Sequence, residues 1–305
     1  MGKIAFVFSG QGAQYSGMGR ELYEISNSAQ RLYDYAETIR PGIKELSFNG
    51  EQSQLNKTIN TQPCLYLVDL CGALALKENG VTPDGVAGFS LGEIAALSFS
   101  GAYSYEDGFN IVSKRSEYMQ KAADECDTKM AAVLKINAET VKEICDGIED
   151  IYPVNFNSPM QTVIAGSKDA LDLFKEKAKS YPCKVLDLAV SAAFHSPYMD
   201  GAAKEFSDYI KNISFNEPEI PVYANYTASI YEDVFSTLEK QMNNPVKWAE
   251  TIENMISDGF TDFIECGAGK TLSGLIKKIS SDVNVYSVEN AETLKATLEA
   301  VKANA

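Results

Sequence analysis

The chain has 305 residues, a formal net charge of −15 and a pI of about 4.6, which argues against nucleic acid or an anionic membrane as a general partner. A 45% apolar and 23% charged composition is ordinary for a globular protein with a large core, and the length admits two domains or one domain with an insertion. Six scattered cysteines (64, 71, 126, 145, 183 and 266) without a C-x-x-C spacing suit reduced thiols in a cytoplasmic protein.

The N-terminus opens directly on "KIAFVF" (3–8), a short apolar run ending in Ser-Gly, read as a buried strand. It lacks the basic region, long apolar stretch and cleavage site of a signal peptide. No run of about 18 apolar residues suggests a membrane span. The glycine-rich loop "GQGAQYSGMG" follows, and its spacing fails the G-x-G-x-x-G dinucleotide fingerprint. Helical patterns cover roughly 20–40 and 62–79, the second with Pro63 in its first turn.

Next comes "GVAGFSLGEIAALSFSG" (85–101). Val86 and Ala87 form a short strand and the pattern turns helical from Leu91, so Ser90 falls on a strand-to-helix turn at G-x-S-x-G spacing. That is the context of a nucleophile elbow, in which small flanking residues expose a serine hydroxyl and the helix aims its first N–H groups at the site. The alternative is a plain glycine turn. A helix over 106–124 places Phe109, Ile111, Val112, Tyr118, Met119 and Ala122 on one arc at ~100° per residue. Arg115, one of four arginines, lies in the middle of that apolar arc. A buried guanidinium needs an anionic partner. Either a structural ion pair with Asp or Glu or a fork for a substrate carboxylate satisfies that need.

Residues 129–190 change character. Strand 130–136, helix 138–148, strands 151–157 and 162–167, helix 168–181 and strand 183–190 give the order β-α-β-β-α-β, a ferredoxin-like unit. The expected organisation is a large α/β hydrolase-like domain with a parallel sheet (1–127 and 191–305) and an inserted ferredoxin-like α+β subdomain (128–190). His195, the single histidine, follows that insertion on a loop between a strand and a helix. A lone histidine is more often a packed one, but a neutral serine is a poor nucleophile without a base, and no second imidazole exists. No third, acidic member can be picked from the many acids between 90 and 195.

The chain then continues as helix 199–213, strand 221–226, helices 233–242 and 246–258, strand 262–266, helix 271–279, strand 284–288 and helix 291–303. "GAGKT" (267–271) is not a Walker A loop, because Ile264 stands where its first glycine is required. No Cys, His, Asp and Glu cluster has metal-ligand spacing.

Several of these stretches together resemble the malonyl-CoA:acyl carrier protein transacylases of type II fatty acid synthesis, cousins of polyketide acyltransferase domains. "FVFSGQGAQ" (6–14) is similar to the family's F-P-G-Q-G-x-Q, and "GFSLGE" (88–93) to its G-H-S-L-G-E. "KRSEYMQ" (114–120), "PVNFNSP" (153–159), "FHS" (194–196), "QMNNPVKW" (241–248) and "ECGAGKTLSGL" (265–275) match in order. The resemblance implies a malonyl transfer from malonyl-CoA to the pantetheine thiol of acyl carrier protein. Ser90 would be the acyl-carrying nucleophile and His195 its base. The Gln11 and Leu91 amides would form the oxyanion hole, and Arg115 would hold the malonyl carboxylate. A main-chain carbonyl at Gln241 would orient the histidine. Phe89, Met119, Phe194, Asn155 and Asn157 would shape the substrate pocket. It further implies a cytoplasmic monomer with no cofactor of its own, the phosphopantetheine being carried by the partner. Two positions depart from the pattern: Ser9 replaces proline, and Phe89 replaces the histidine before the nucleophile, which bears on acyl selectivity. The bulky Phe194 leaves little room for a branched acyl group. A stand-alone polyketide acyltransferase, a serine thioesterase or esterase, and a non-catalytic carrier-docking protein are the alternatives.

Overall fold

The computed structural model describes residues 2–190 and 192–303. The chain begins with β1 (Lys3–Phe8), buried at every position after the first. Four helices follow, α1 (Arg20–Ile25), α2 (Asn27–Ile39), α3 (Ile43–Asn49) and α4 (Gln52–Leu55), and then the long α5 (Thr58–Glu78). β2 (Gly85–Gly88), α6 (Gly92–Phe99) and α7 (Tyr105–Glu125) complete the first half. The middle of the chain holds β3 (Thr128–Leu134), α8 (Ala138–Asp146), β4 (Ile151–Ser158), β5 (Gln161–Ser167), α9 (Lys168–Ala178) and β6 (Lys184–Asp187). A 3₁₀ turn at Pro197–Met199 leads into α10 (Asp200–Ile210), β7 (Val222–Tyr223), α11 (Val234–Leu238), α12 (Trp248–Ser257), β8 (Phe260–Cys266), α13 (Thr271–Ile279), β9 (Asn284–Val288) and α14 (Ala291–Ala303).

Five strands form a parallel sheet in the order β7-β2-β1-β8-β9. Apolar side chains cover both of its faces, as a parallel sheet requires. Phe6, Phe8 and Val86 pack into the larger core with α5, α6 and α7, while Ala5, Val7, Ala87 and Phe263 pack into a second core with α12 and α13. The other four strands pair antiparallel in the order β4-β5-β3-β6, the ferredoxin-like arrangement. Alternation along β3 sends Ala131 and Val133 into a small core under α8 and α9, and sends Met130 and Ala132 to the opposite face, onto the larger core. Val246 links the two sheets: its side chain packs in the second core with Ala5, Val7 and Ala87, its N–H donates to Val154 O of β4 at 2.8 Å, and Phe156 N–H donates to its carbonyl at 2.9 Å. The expected domain limits at Met1, Ser191 and Ala305 lie outside the described residues.

Several element boundaries differ from the sequence reading. The helix expected over 20–40 breaks at Ser26, which is extended and caps α2 by accepting the Ala29 N–H at 3.1 Å. Two short helices, α3 and α4, were not expected. α5 begins at Thr58, so Pro63 lies inside it. The Ile59 carbonyl that Pro63 cannot serve accepts from Arg40 Nη1 at 2.7 Å instead. By length and composition α5 is apolar enough to cross a membrane, but 89% of its most apolar window is buried, which marks it as a core helix. The strand expected at 221–226 has only two paired residues, and the helix expected at 246–258 starts at Trp248 because Val246 is bridging to β4. The helix expected at 233–242 is α11 alone, and Gln241 lies beyond it.

Candidate active site

β2 and α6 meet at Ser90, whose φ is +54°, a left-handed conformation that is strained for a residue with a Cβ. The turn is tight enough to demand glycine on both sides. A Cβ at Gly88 would fall 1.9 Å from the Gly92 carbonyl carbon, and one at Gly92 would fall 2.3 Å from Phe8 O. The side chain of Asn225, just past β7, braces the turn. Its Oδ1 accepts the Ser90 N–H at 2.7 Å and its Nδ2 donates to Gly88 O at 2.5 Å. With the Ser90 N–H so occupied, the next amide, Leu91, is the first one free to face a reacting group. Neither Leu91 N–H nor Gln11 N–H has a hydrogen-bond partner among the described residues, and both residues line the cleft above Ser90.

His195, 3% exposed, sits on the loop before the 3₁₀ turn with φ +61°. Its Nε2 lies 2.7 Å from Ser90 Oγ. Its Nδ1 faces two main-chain carbonyls, Gln241 O and Asn244 O, each at 3.1 Å. Two acceptors at Nδ1 place the ring proton there and leave the Nε2 lone pair to receive the serine proton. So carbonyls rather than a carboxylate orient the imidazole, which is why no acid stood out in the sequence. Burial, and then the Arg115 charge, lower the His195 pKa to about 3, so the ring is a neutral base throughout the physiological range.

Arg115 is fully buried on α7 and reaches Ser90 Oγ with Nη2 at 3.1 Å. Its other partners are neutral amides: Gln62 Oε1 accepts from Nη1 at 2.7 Å and Gln241 Oε1 accepts from Nη2 at 2.8 Å. Among the described residues no carboxylate forms an ion pair with it, and its Nε has no partner. The structural ion pair that the sequence left open is therefore not what is seen. Burial depresses its pKa to about 10, still well above neutrality, so a buried cation stands unneutralised beside the serine oxygen. The acid whose charge most supports it is Glu93, also fully buried. Glu93 Oε1 accepts from Tyr231 OH and from Asn225 N–H, and burial raises its pKa to about 7.

A cleft opens over this group. Phe89, Met119, Phe194 and Asn155 line it together with Gln62 and, from the antiparallel unit, Met130, Leu188 and Val190. Met119 Sδ also accepts from Gln62 Nε2 at 3.2 Å, which fixes the amide that faces Arg115. Phe89 packs edge-on against Trp248, centroids 5.6 Å apart, and lines both this cleft and a neighbouring one that Asn155 and Asn157 share. The Oδ1 atoms of both asparagines are buried without partners. Gln241 does not line the cleft; it holds the site from behind, its Nε2 donating to Ser90 O at 2.6 Å. The structure thus brings together every sequence-selected residue around one serine, except that Asn157 faces only the adjoining cleft. Gln62, Asn225, Asn244 and Glu93 were missed by sequence reasoning.

The chain matches the acyl transferase domain family over residues 5–296. It is 37% identical over 311 residues to the malonyl CoA-acyl carrier protein transacylase of Bacillus subtilis (strain 168), covering 99% of this chain and 98% of that one. Among solved structures, malonyl CoA-acyl carrier protein transacylase from Clostridium perfringens superposes with a TM-score of 0.95 at 36% identity, covering 99% and 98% of the two chains. A malonyl-transacylase solved in complex with its type II PKS acyl carrier protein superposes with a TM-score of 0.94 at 31% identity, covering 98% and 99%.

Proposed function

The chain belongs to the malonyl CoA-acyl carrier protein transacylase family of acyltransferases, and from that membership we propose that it moves malonyl from malonyl-CoA to the pantetheine thiol of an acyl carrier protein through a malonyl-serine. His195 Nε2 takes the proton from Ser90 Oγ as the oxygen attacks the thioester carbonyl. The Gln11 and Leu91 amides receive the oxyanion that forms. The carbon–sulfur bond then breaks, and the CoA thiolate leaves with the proton from His195. In the second half the pantetheine thiol gives its proton to His195 and attacks the malonyl ester, and Ser90 Oγ departs and recovers that proton.

One observation carries the choice of acyl group. Arg115 presents a buried positive charge, held by neutral side chains, 3.1 Å from the attacking oxygen. A free carboxylate on the acyl chain neutralises that charge, whereas an acetyl group leaves it unpaired. The apolar walls of Leu91, Met130, Leu188, Val190 and Phe194 support transfer over hydrolysis by keeping water from the ester. We assign the activity to the cytoplasm and to a fatty acid synthesis carrier; a polyketide carrier would use the same chemistry. The test supplies malonyl-CoA with and without carrier protein. The expected result is carrier-dependent malonyl transfer with little free malonate. Rapid malonate release with no loaded carrier would establish a thioesterase instead. Rates with a fatty acid and a polyketide carrier protein identify the client.

A further inference from the structure

We propose that Asp69 is a positioning residue for acyl transfer, acting through Ser9 to set the loop that presents the Gln11 amide to Ser90; the proposal rests on the malonyl-transfer reading above. Asp69 lies on α5, wholly buried, and lines neither cleft at the site. Its Oδ1 accepts from Ser9 Oγ at 2.7 Å. Ser9 is the first residue past β1 and stands two residues before Gln11. The Ser9 carbonyl lies against the elbow, where a Cβ at Gly92 would come within 2.5 Å of it. On its other side the Asp69 carboxyl meets the turn after β8. There Gly267 has φ +130°, and a Cβ would fall 1.9 Å from Asp69 Oδ1 and 2.8 Å from Ser9 Oγ. The carboxyl is therefore wedged where the oxyanion loop, the elbow and the β8 turn converge, and Ser9 is the hydroxyl through which it grips the loop.

Two features support this assignment. Ser9 occupies the position where the family's opening motif carries proline, so the hydroxyl and its buried acceptor form a tie that a proline could not make. Burial also drives the Asp69 carboxyl well above the usual carboxylate range, against the lowering effect of its Ser9 hydrogen bonds, and Glu265 adds to the rise. Asp69→Asn keeps an acceptor oxygen for the Ser9 hydroxyl, which makes it the conservative replacement. Asp69 touches no reacting atom. Its loss should therefore misplace an oxyanion donor without altering the groups that bind the substrate.

The experiment compares wild type, Asp69→Ala, Asp69→Asn and Ser9→Ala in malonyl transfer, with thermal melts alongside. Removing an oxyanion donor outright lowers kcat by roughly 10²–10³; displacing one should lower it by about tenfold in Asp69→Ala and Ser9→Ala, with KM within about twofold. Asp69→Asn should stay within about threefold of wild type in kcat. Alanine variants that melt lower yet keep the wild-type kcat would overturn the proposal, as would an asparagine variant as slow as the alanine one. If Asp69→Ala does not fold, Ser9→Ala decides the matter, because it removes only the donor. A wild type that forms no malonyl-enzyme would defeat the reading of the site itself. A wild type that does, with variants equal to it, would defeat only the role of Asp69.

Discussion

At Ser90 the Arg115 charge acts on His195. The guanidinium is the second cause, after burial, of the depressed imidazole pKa. A His held at about 3 keeps its base form well below the ordinary value of 6.5, so the acid limb of kcat/KM, which reports the free enzyme, should fall below that value. Arg115→Ala removes one of the two lowering causes, so the limb should shift upward in pH. The same substitution should reduce the preference for malonyl-CoA over acetyl-CoA by roughly 10²-fold, the scale on which unpaired buried polar groups discriminate. An unchanged ratio of kcat/KM values would assign Arg115 a structural part only.

Between elements, the brace from the end of β7 to the elbow is the feature most exposed to test. Asn225→Ala leaves the Ser90 N–H and the Gly88 carbonyl without their partners, at a cost of about 1–3 kcal/mol each if they stay buried. The expected result is a lower melting temperature together with a kcat reduced by at least about tenfold, since a strained elbow that relaxes carries Oγ away from His195. An Asn225→Ala enzyme with the wild-type kcat would show that the glycines hold the turn unaided. The sequence made the elbow readable because its chemistry is local: strand, glycine, serine, glycine and helix follow one another. His195 and Arg115 were legible by rarity, as the one imidazole and the one guanidinium on an apolar arc. Asn225 was not legible, because it acts 135 residues from Ser90 through a neutral amide that has no periodic signature. Gln241 and Asn244 orient the histidine with main-chain carbonyls, which every residue has. The start of α5 was hidden for a related reason. Pro63 pointed to a first turn, and the distant Arg40 and Ser116 side chains serve the Ile59 carbonyl it leaves free in the helix interior.

Across the whole molecule, buried ionisable groups set the pH dependence of stability. Burial raises Asp69, Glu93 and Glu265 and lowers His195. A raised carboxyl binds a proton in the folded state that the unfolded state releases, so its contribution is full below the unfolded value and is lost as pH climbs through the folded one. Depressed His195 works the other way: its contribution is present above 6.5 and declines toward about 3. Between roughly pH 4.5 and 6.5 one rising contribution meets at least two falling ones, and acidification also relieves the self-repulsion of a strongly negative chain. The melting temperature should therefore be higher near about pH 5.5 than near about pH 7.5; a melting temperature that rises from the lower to the higher pH would contradict the raised pKa of Asp69 and Glu93. The central proposal is the capture of an acyl group on Ser90. Intact-mass measurement after malonyl-CoA treatment of wild type, Ser90→Ala and His195→Ala tests it most directly. The account requires a single malonyl adduct on wild type that disappears when carrier protein is added, none on Ser90→Ala, and slow or absent loading of His195→Ala. An unmodified wild type, or an adduct that survives in Ser90→Ala, would contradict it.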